Sequence, residues 1–380
     1  MNDKADVPSC FTVYRALAQT RRTARCWCRL FLAGLCLSCL CASVRADSSD
    51  EGLQLFRQGK YAQASRLFLK AARKGDPKAQ FHLAVAYESG EGVKRDRKKA
   101  FFWYRKSAAQ GLVYAQYAVA VCYEQGIGVR TDYRKAFTWY KKAAEQNNPK
   151  AQYRLALLYD EGKGRAVRQN RAEALKWYTL SAAQGVAGAQ YKLGTFHTRG
   201  DMLAQDNAAA ANWYSKAAEQ GDPRAQAALG RAYMEGNGLA QDHEKAVEYL
   251  SKSAEQGDPE GALGMAVAYQ NGWGVQKDAE KALKWYTLAA GHHSPEAWYQ
   301  LGMVYELGES PNMKIALRLY KKAAQEGHAS AQFRLGMFYS LDKDNPDSKE
   351  KAAYWYKKAA KQGNTEAIQL LDSEADDRRR

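Results

Sequence analysis

The chain has 380 residues, 57 Lys and Arg against 41 Asp and Glu, a formal charge of +16 and a pI near 9.4. With 46% apolar residues and only 8 prolines it can bury a core, which excludes a largely disordered chain. A mean hydropathy of −0.61 excludes a protein built of many membrane spans.

The first 46 residues form a class of their own. Arg15, Arg21, Arg22, Arg25 and Arg29 precede an uncharged stretch, Leu30 to Val44, and Val44-Arg45-Ala46 places small residues just before Asp47. A basic segment, a short apolar run and a small-x-small exit are the parts of a secretory signal, and the run is shorter than the ~20 apolar residues of a spanning helix. The expectation is a signal peptide over 1–46, cleaved so that an exported, periplasmic chain begins at Asp47; the alternative is an uncleaved N-terminal anchor. Six of the seven cysteines lie in this leader, so the exported chain keeps Cys122 alone and has no disulfide framework of its own. The leader holds seven Lys and Arg and two Asp, a net +5, which leaves 16 − 5 = +11 for the rest.

From Asp47 onward the sequence copies itself. Ala79-Gln80 returns as Ala115-Gln116, Ala151-Gln152, Ala189-Gln190, Ala225-Gln226 and Ala331-Gln332. Trp103-Tyr104 returns as Trp139-Tyr140, Trp177-Tyr178, Trp213-Tyr214, Trp285-Tyr286 and Trp355-Tyr356. The steps are 36 residues, with one of 38 and one of 34. A fixed period of this size predicts an all-α solenoid, in which each unit buries its apolar face against its neighbours. The division is a short leading unit over 47–75, eight full repeats over 76–363, and a closing helix with a charged tail over 364–380.

Each repeat predicts two helices. The first carries Leu83-Ala84 and Tyr87 and their equivalents; its second place is always small (Ala84, Ala120, Ala156, Gly194, Gly230, Ala266, Gly302, Gly336), which suggests the close approach of another helix backbone. The second helix opens on Asp96, Asp132, Asn170, Asp206, Asp242, Asp278, Asn312 or Ser348, all good N-caps. It ends at Gly75, Gly111, Asn147, Gly185, Gly221, Gly257, Gly327 or Gly363, residues that adopt the left-handed conformation closing a helix, with His293 the exception. The Gly-x-Gly between the helices (Gly90/Gly92, Gly126/Gly128, Gly162/Gly164, Gly236/Gly238, Gly272/Gly274) follows no strand and reads as a chain-reversing turn rather than a phosphate loop. Thr365–Leu371 reads as the closing helix and Asp372–Arg380 as a frayed tail.

Ala-Gln, Leu-Gly/Ala-x-x-Tyr, Gly-x-Gly-Val, Asp-x-x-Lys-Ala, Trp-Tyr and Ala-Ala-x-Gln-Gly together resemble the Sel1-like repeat family, relatives of the tetratricopeptide repeats. Residues 52–75 look more like a plain tetratricopeptide unit. The resemblance implies an α/α superhelical solenoid, first helices lining its concave face, and an adaptor that gathers other proteins. A cysteine-rich branch of the family binds β-lactams; the missing repeat cysteines keep that activity from carrying over.

No catalytic constellation is legible. His82, His197, His243, His292, His293 and His328 form no His-Glu-x-x-His pair, and no Gly-x-Ser-x-Gly is present. Cys122 falls on an apolar helix face and reads as core. No cofactor, metal or nucleic acid is expected, since the cations flank buried stripes rather than converge with stacking aromatics. The reading is therefore a non-catalytic protein-interaction scaffold of the cell envelope, with peripheral contact with anionic envelope components open to its basic surface. The alternatives are a cell-wall-active or β-lactam-hydrolysing enzyme and an envelope polysaccharide binder. Variable positions on the first helices give the candidate docking residues Arg154, Leu157, Lys192, Arg231, Gln300, Met303, Arg334 and Met337, and two departures from the repeat add Trp273 and Trp298. An apolar ledge with scattered cations suits an extended or helical peptide that carries acidic residues.

Overall fold

The computed structural model describes residues 48–163, 166–200, 202–308, 311–342 and 346–377, and every regular element among them is an α-helix. The expected signal peptide over 1–46 with its expected cleavage point before Asp47, Gly164 and Arg165 of the longer third repeat, and the 378–380 end of the tail lie outside the described residues.

The chain divides into two compact units, one ending at Val186 and the other beginning at Ala187. The first unit contains α1 (Ser48–Arg57), α2 (Tyr61–Arg73), α3 (Pro77–Ser89), α4 (Arg97–Ala109), α5 (Val113–Gln125), α6 (Tyr133–Glu145), α7 (Pro149–Glu161) and α8 (Arg171–Ala183). The second contains α9 (Ala187–Arg199), α10 (Asn207–Glu219), α11 (Pro223–Glu235), α12 (His243–Glu255), α13 (Pro259–Asn271), α14 (Ala279–Gly291), α15 (Pro295–Leu307), α16 (Met313–Gln325), α17 (Ala329–Leu341), α18 (Ser348–Lys361) and α19 (Thr365–Asp377). Odd and even helices up to α18 pair as hairpins, and within each unit every hairpin packs on the next. That is α/α solenoid packing, as the period predicts.

Local chemistry sets the helix ends. Asp96, Asp132, Asn170, Asp206, Asp242, Asp278 and Asn312 each accept a hydrogen bond from the backbone N–H three residues on. Asp132→Ala is expected to cost about 1 kcal/mol, read from the urea midpoint. Ser348 breaks the pattern: it lies inside α18, Asp347 precedes the helix without capping it, and the Ser348 hydroxyl donates to Asp342 Oδ2 at 3.2 Å. The first helices have caps that the period did not reveal, among them Asp76, Asn148, Asp222, Asp258 and Ser294, each followed by Pro at the first helical position.

At the far end of the second helices His293 adopts the same positive φ (61°) as Gly257 (82°) and Asn147 (64°). At Gly111 φ is 88° and nothing lies within 4 Å of where a β-carbon would stand. Gly111→Ala should therefore cost only the left-handed penalty, about 1–2 kcal/mol in a urea titration. The closing helix continues past Leu371 to Asp377, so most of the expected tail is helical.

The small place on the first helix meets a backbone at Gly230, where a β-carbon would stand 3.0 Å from the Ala246 carbonyl oxygen, and a ring at the other three glycines. A β-carbon at Gly194, Gly302 or Gly336 would stand 2.4–2.7 Å from the ring of Tyr214, Tyr320 or Tyr356, the Trp-Tyr tyrosine of the same hairpin. Those tyrosines anchor each hairpin. Tyr104, Tyr140, Tyr178, Tyr286 and Tyr320 are fully buried, and their hydroxyls bond Glu88 (2.6 Å), Glu124 (2.6 Å), Asp160 (3.2 Å), Gln270 and Glu306 (2.5 Å) at the ends of the partner helices. A buried hydroxyl left unpaired would cost about 1–3 kcal/mol, so the bond fixes the pairing of the two helices.

The buried glutamines of Ala-Gln perform a second repeated task. Gln80 accepts from the Gln110 amide at 2.8 Å and donates to the Ala72 carbonyl of the preceding hairpin at 3.2 Å. Gln152, Gln226 and Gln332 repeat both bonds, joining the two helices of one hairpin to the hairpin before it.

Candidate functional site

In the second unit a groove of about 540 Å³ opens between α9, α10, α11 and the start of α13. Its floor is alanine: Ala210, Ala211, Ala227, Ala228 and Ala232. The cause is visible in the register. In the other full repeats the place of Ala227 holds Phe81, Tyr117, Tyr153, Tyr191, Leu263, Tyr299 or Phe333. Rings there pack on the Trp-Tyr tyrosine with centroids 5.6–6.1 Å apart, as in Phe81–Tyr104 and Tyr153–Tyr178. At 227 the ring is gone, and Ala211 likewise stands where Phe101 and Phe137 stand in other repeats.

Polar groups rim this floor. Arg224, in the first turn of α11, is held by both carboxylate oxygens of Asp222 and lies 5.0 Å over the Tyr191 ring. Arg231 is seven residues on, so two turns along the same face it pairs with Glu260, both side chains about half exposed (52% and 48%). Tyr214 and Thr198 share a hydrogen bond of 3.0 Å. Burial pushes the Tyr191 hydroxyl up to about 12, so it stays a protonated donor at neutral pH. The side-chain amides of Asn207 and Asn237 on the rim make no hydrogen bond among the described residues. The arrangement offers an extended chain a flat apolar floor, amide partners for its backbone, and one accessible guanidinium whose present partner can be exchanged.

Of the docking residues expected from the sequence, only Arg231 lines this groove. Arg154 and Leu157 are buried, Arg154 in an ion pair with Glu124 at 3.0 Å. Lys192, Gln300 and Met303 are half-buried; the Gln300 amide donates to Glu296 at 2.7 Å, and Met303 packs on the core around Tyr320. Arg334 pairs with Glu306 at 3.4 Å, and Met337 is exposed on the same helix. Trp298 is buried in the core between Ala316 and Leu335 rather than presented outward. Trp273 keeps 38% exposure but lies stacked on His243 of the preceding hairpin, ring centroids 5.3 Å apart. The groove residues missed in the sequence, Asn207, Arg224, Asp258 and Glu260, carry no sign of their own; the signal was the lost ring at 227.

Among the described residues no group of three His, Cys, Asp or Glu side chains could hold a metal ion. Cys122 is buried among apolar side chains, which pushes its thiol up and away from the reactive thiolate. His82 lies against Phe68, centroids 5.1 Å apart, and burial together with Lys78 and Arg57 lowers its pKa to about 4. The unfolded chain then takes up a proton near 6.5 that the folded chain refuses, so stability should fall as pH drops from about 6.5 toward 4. His82→Leu is expected to flatten that part of a pH series of urea midpoints.

Helical hairpins stacked in register, with a groove where one repeat has lost its ring, define an α/α repeat protein. The profile of the Sel1 repeat matches nine segments, residues 50–76, 77–112, 113–148, 149–186, 187–222, 223–258, 259–292, 295–328 and 329–364. The chain belongs to the Sel1 repeat family. Among solved structures it is similar to a protective antigen of uropathogenic Escherichia coli that displays an SLR fold, at 33% identity and a TM-score of 0.59, over 81% of this chain and 66% of that one. It is also similar to a Sel1 repeat protein from Oxalobacter formigenes, at 33% identity and a TM-score of 0.58, over 64% of this chain and 97% of that one. A search of curated proteins found no match. Sel1 repeat proteins are generally protein-interaction scaffolds.

Proposed function

We propose that this protein is an exported, non-catalytic scaffold that holds an extended segment of a partner protein in the alanine-floored groove of its second unit. The observation that carries the reading is the substitution of Ala227 for the ring present at nearly every equivalent place, which opens space a repeat protein otherwise fills. A carboxylate on the segment would take Arg231 from Glu260, while Asn207 and Asn237 bond its backbone. The signal-like leader supports export to the periplasm, with the exported chain starting at Asp47.

Ala227→Tyr tests the groove without attacking the fold, since Tyr is the residue other repeats use there. Selection from a library of short displayed peptides should return binders that carry Asp or Glu. Ala227→Tyr should abolish their binding with the urea midpoint unchanged or raised, and Arg231→Glu should weaken it at least about tenfold. Peptides that bind both variants as they bind the parent would refute the groove. N-terminal sequencing of the exported protein should read from Asp47; Met1 on that protein would refute cleavage. Turnover of a β-lactam by the purified protein would overturn the non-catalytic reading.

A further inference from the structure

The net charge of the chain is confined to one unit. Residues 48–186 hold 26 Lys and Arg against 12 Asp and Glu, a net of +14, whereas residues 187–380 hold 24 against 26, a net of −2. Within the first unit the charge is segregated again. The first helices α1, α3, α5 and α7 carry 4 cations and 6 acids, while the second helices α2, α4, α6 and α8 carry 14 cations and 2 acids. All 14 of these cations are exposed. Lys99, Lys135, Lys141 and Lys176 pair with Asp96, Asp132, Glu145 and Glu173 at 3.1–3.9 Å, and 2 acids on these helices are too few to neutralise 14 cations. A requirement of the buried stripe for flanking cations would hold in every repeat, but α12 of the second unit flanks its stripe with Glu244, Glu248 and Glu255 beside Lys245 and Lys252. Support of the fold therefore does not require a face of one sign.

The same face carries apolar groups among its cations. Phe102 on α4 and Leu180 on α8 are exposed by 45% and 42%, and Leu180 stands where other repeats place Lys106 or Lys142. Lys106 lies 4.9 Å over the Phe102 ring and 5.3 Å over Trp103, and Lys142 lies 4.6 Å over Trp139. Cations backed by half-exposed aromatic rings suit the boundary between headgroups and acyl chains, where the charge meets phosphate and the ring enters the interface. The unit that bears this face also directly follows the leader with its uncharged Leu30–Val44 stretch.

We propose that the even-helix face of the first unit docks on the surface of an anionic lipid bilayer. The inference rests on the export reading for its setting and not on the groove. Sedimentation with phosphatidylglycerol-containing vesicles and with purely zwitterionic vesicles tests it on the full chain, so that the leader contributes equally to every sample. Arg105→Glu with Lys106→Glu reverses two charges of this face; Lys216→Glu with Lys252→Glu reverses two on α10 and α12 of the second unit, helices that balance their cations with acids. The parent should prefer anionic vesicles, with the preference falling as salt rises. The α4 reversal should cut anionic binding on the order of tenfold or more, the reversal on α10 and α12 about threefold or less, and circular dichroism should match across all three. Equal binding to both vesicle types, or equal loss from both reversals, would overturn the proposal. So would a preference for a soluble polyanion such as DNA that removes the protein from anionic vesicles. Survival of vesicle binding in Ala227→Tyr separates this surface from the peptide groove.

Discussion

Gly128→Ala is expected to destabilise the first unit by about 3–5 kcal/mol, several times the effect of Gly111→Ala, although both change one hydrogen for a methyl in a turn. Both glycines have positive φ, 69° and 88°, so both variants meet the left-handed penalty of about 1–2 kcal/mol. They differ in what the methyl finds. At Gly111 the space is open, whereas at Gly128 a β-carbon would stand 2.0 Å from the Arg97 carbonyl oxygen and 2.6 Å from its carbon. That oxygen belongs to the first residue of α4, in the preceding repeat, and a helix backbone does not move aside as a flexible side chain can. Gly92, Gly238 and Gly274 make the same approach to Tyr61, Asn207 and His243. The second glycine of Gly-x-Gly is thus a joint between hairpins, and its loss should uncouple them. Urea titration would give the size, and hydrogen exchange should show protection falling first in α3–α6, since each repeat is stabilised chiefly by its neighbours. An effect no larger than that of Gly111→Ala would show that the joint yields without cost.

Much of this fold is written in the period. The hairpins, seven of the eight second-helix caps and the Gly and Asn helix ends follow from residue types at fixed offsets; His293 takes the same left-handed conformation by its offset and against its residue type. What was less legible lies in pairs of positions that change together. The partner of the Trp-Tyr hydroxyl is Glu88, Glu124, Asp160, Thr198, Gln270, Glu306 or Ser340, and the separation is 16 residues except where the repeat is longer (18, Asp160–Tyr178) or shorter (14, Glu306–Tyr320). Where Leu250 replaces the tyrosine, the residue 16 before it is Met234, which is buried in the same core. The glutamine pair behaves alike: the repeats without Gln in the first helix, at Ala262 and Trp298, lack the second Gln also, with His292 and Glu326 in its place. A buried amide or hydroxyl without its partner is costly, so the two members persist or vanish as one. The groove escaped notice for the opposite reason. It is made by the absence of a ring at Ala227, and a missing side chain leaves no motif to find.

The second large effect is expected at Glu124. One of its carboxylate oxygens, Oε2, accepts from the Tyr140 hydroxyl at 2.6 Å and from the Arg154 guanidinium at 3.0 Å, with the Arg154 and Glu124 side chains only 9% and 14% exposed. Tyr140 belongs to the same hairpin as Glu124 and Arg154 to the next, so a single carboxylate ties three helices together. Glu124→Ala should cost about 3–5 kcal/mol, because it leaves a guanidinium buried without a counter-charge and a hydroxyl without an acceptor. Glu124→Gln keeps an acceptor for Tyr140 and loses only the charge, so its cost should be smaller, about 1–3 kcal/mol. Glu124→Leu combined with Arg154→Leu removes both charges and fills the space with apolar volume; it should recover most of the loss and come out nearer the parent than Glu124→Ala. Urea midpoints of both Glu124→Gln and the double variant above that of Glu124→Ala would establish that the pair is retained to avoid an isolated charge, the double variant still losing the acceptor of the Tyr140 hydroxyl. A double variant as unstable as Glu124→Ala would show instead that the packing around Tyr140, and not the charge, holds the three helices. Because Arg154 is committed to this network, Arg154→Ala should lower stability while leaving peptide capture by the second-unit groove unchanged, which separates a structural cation from the one at Arg231.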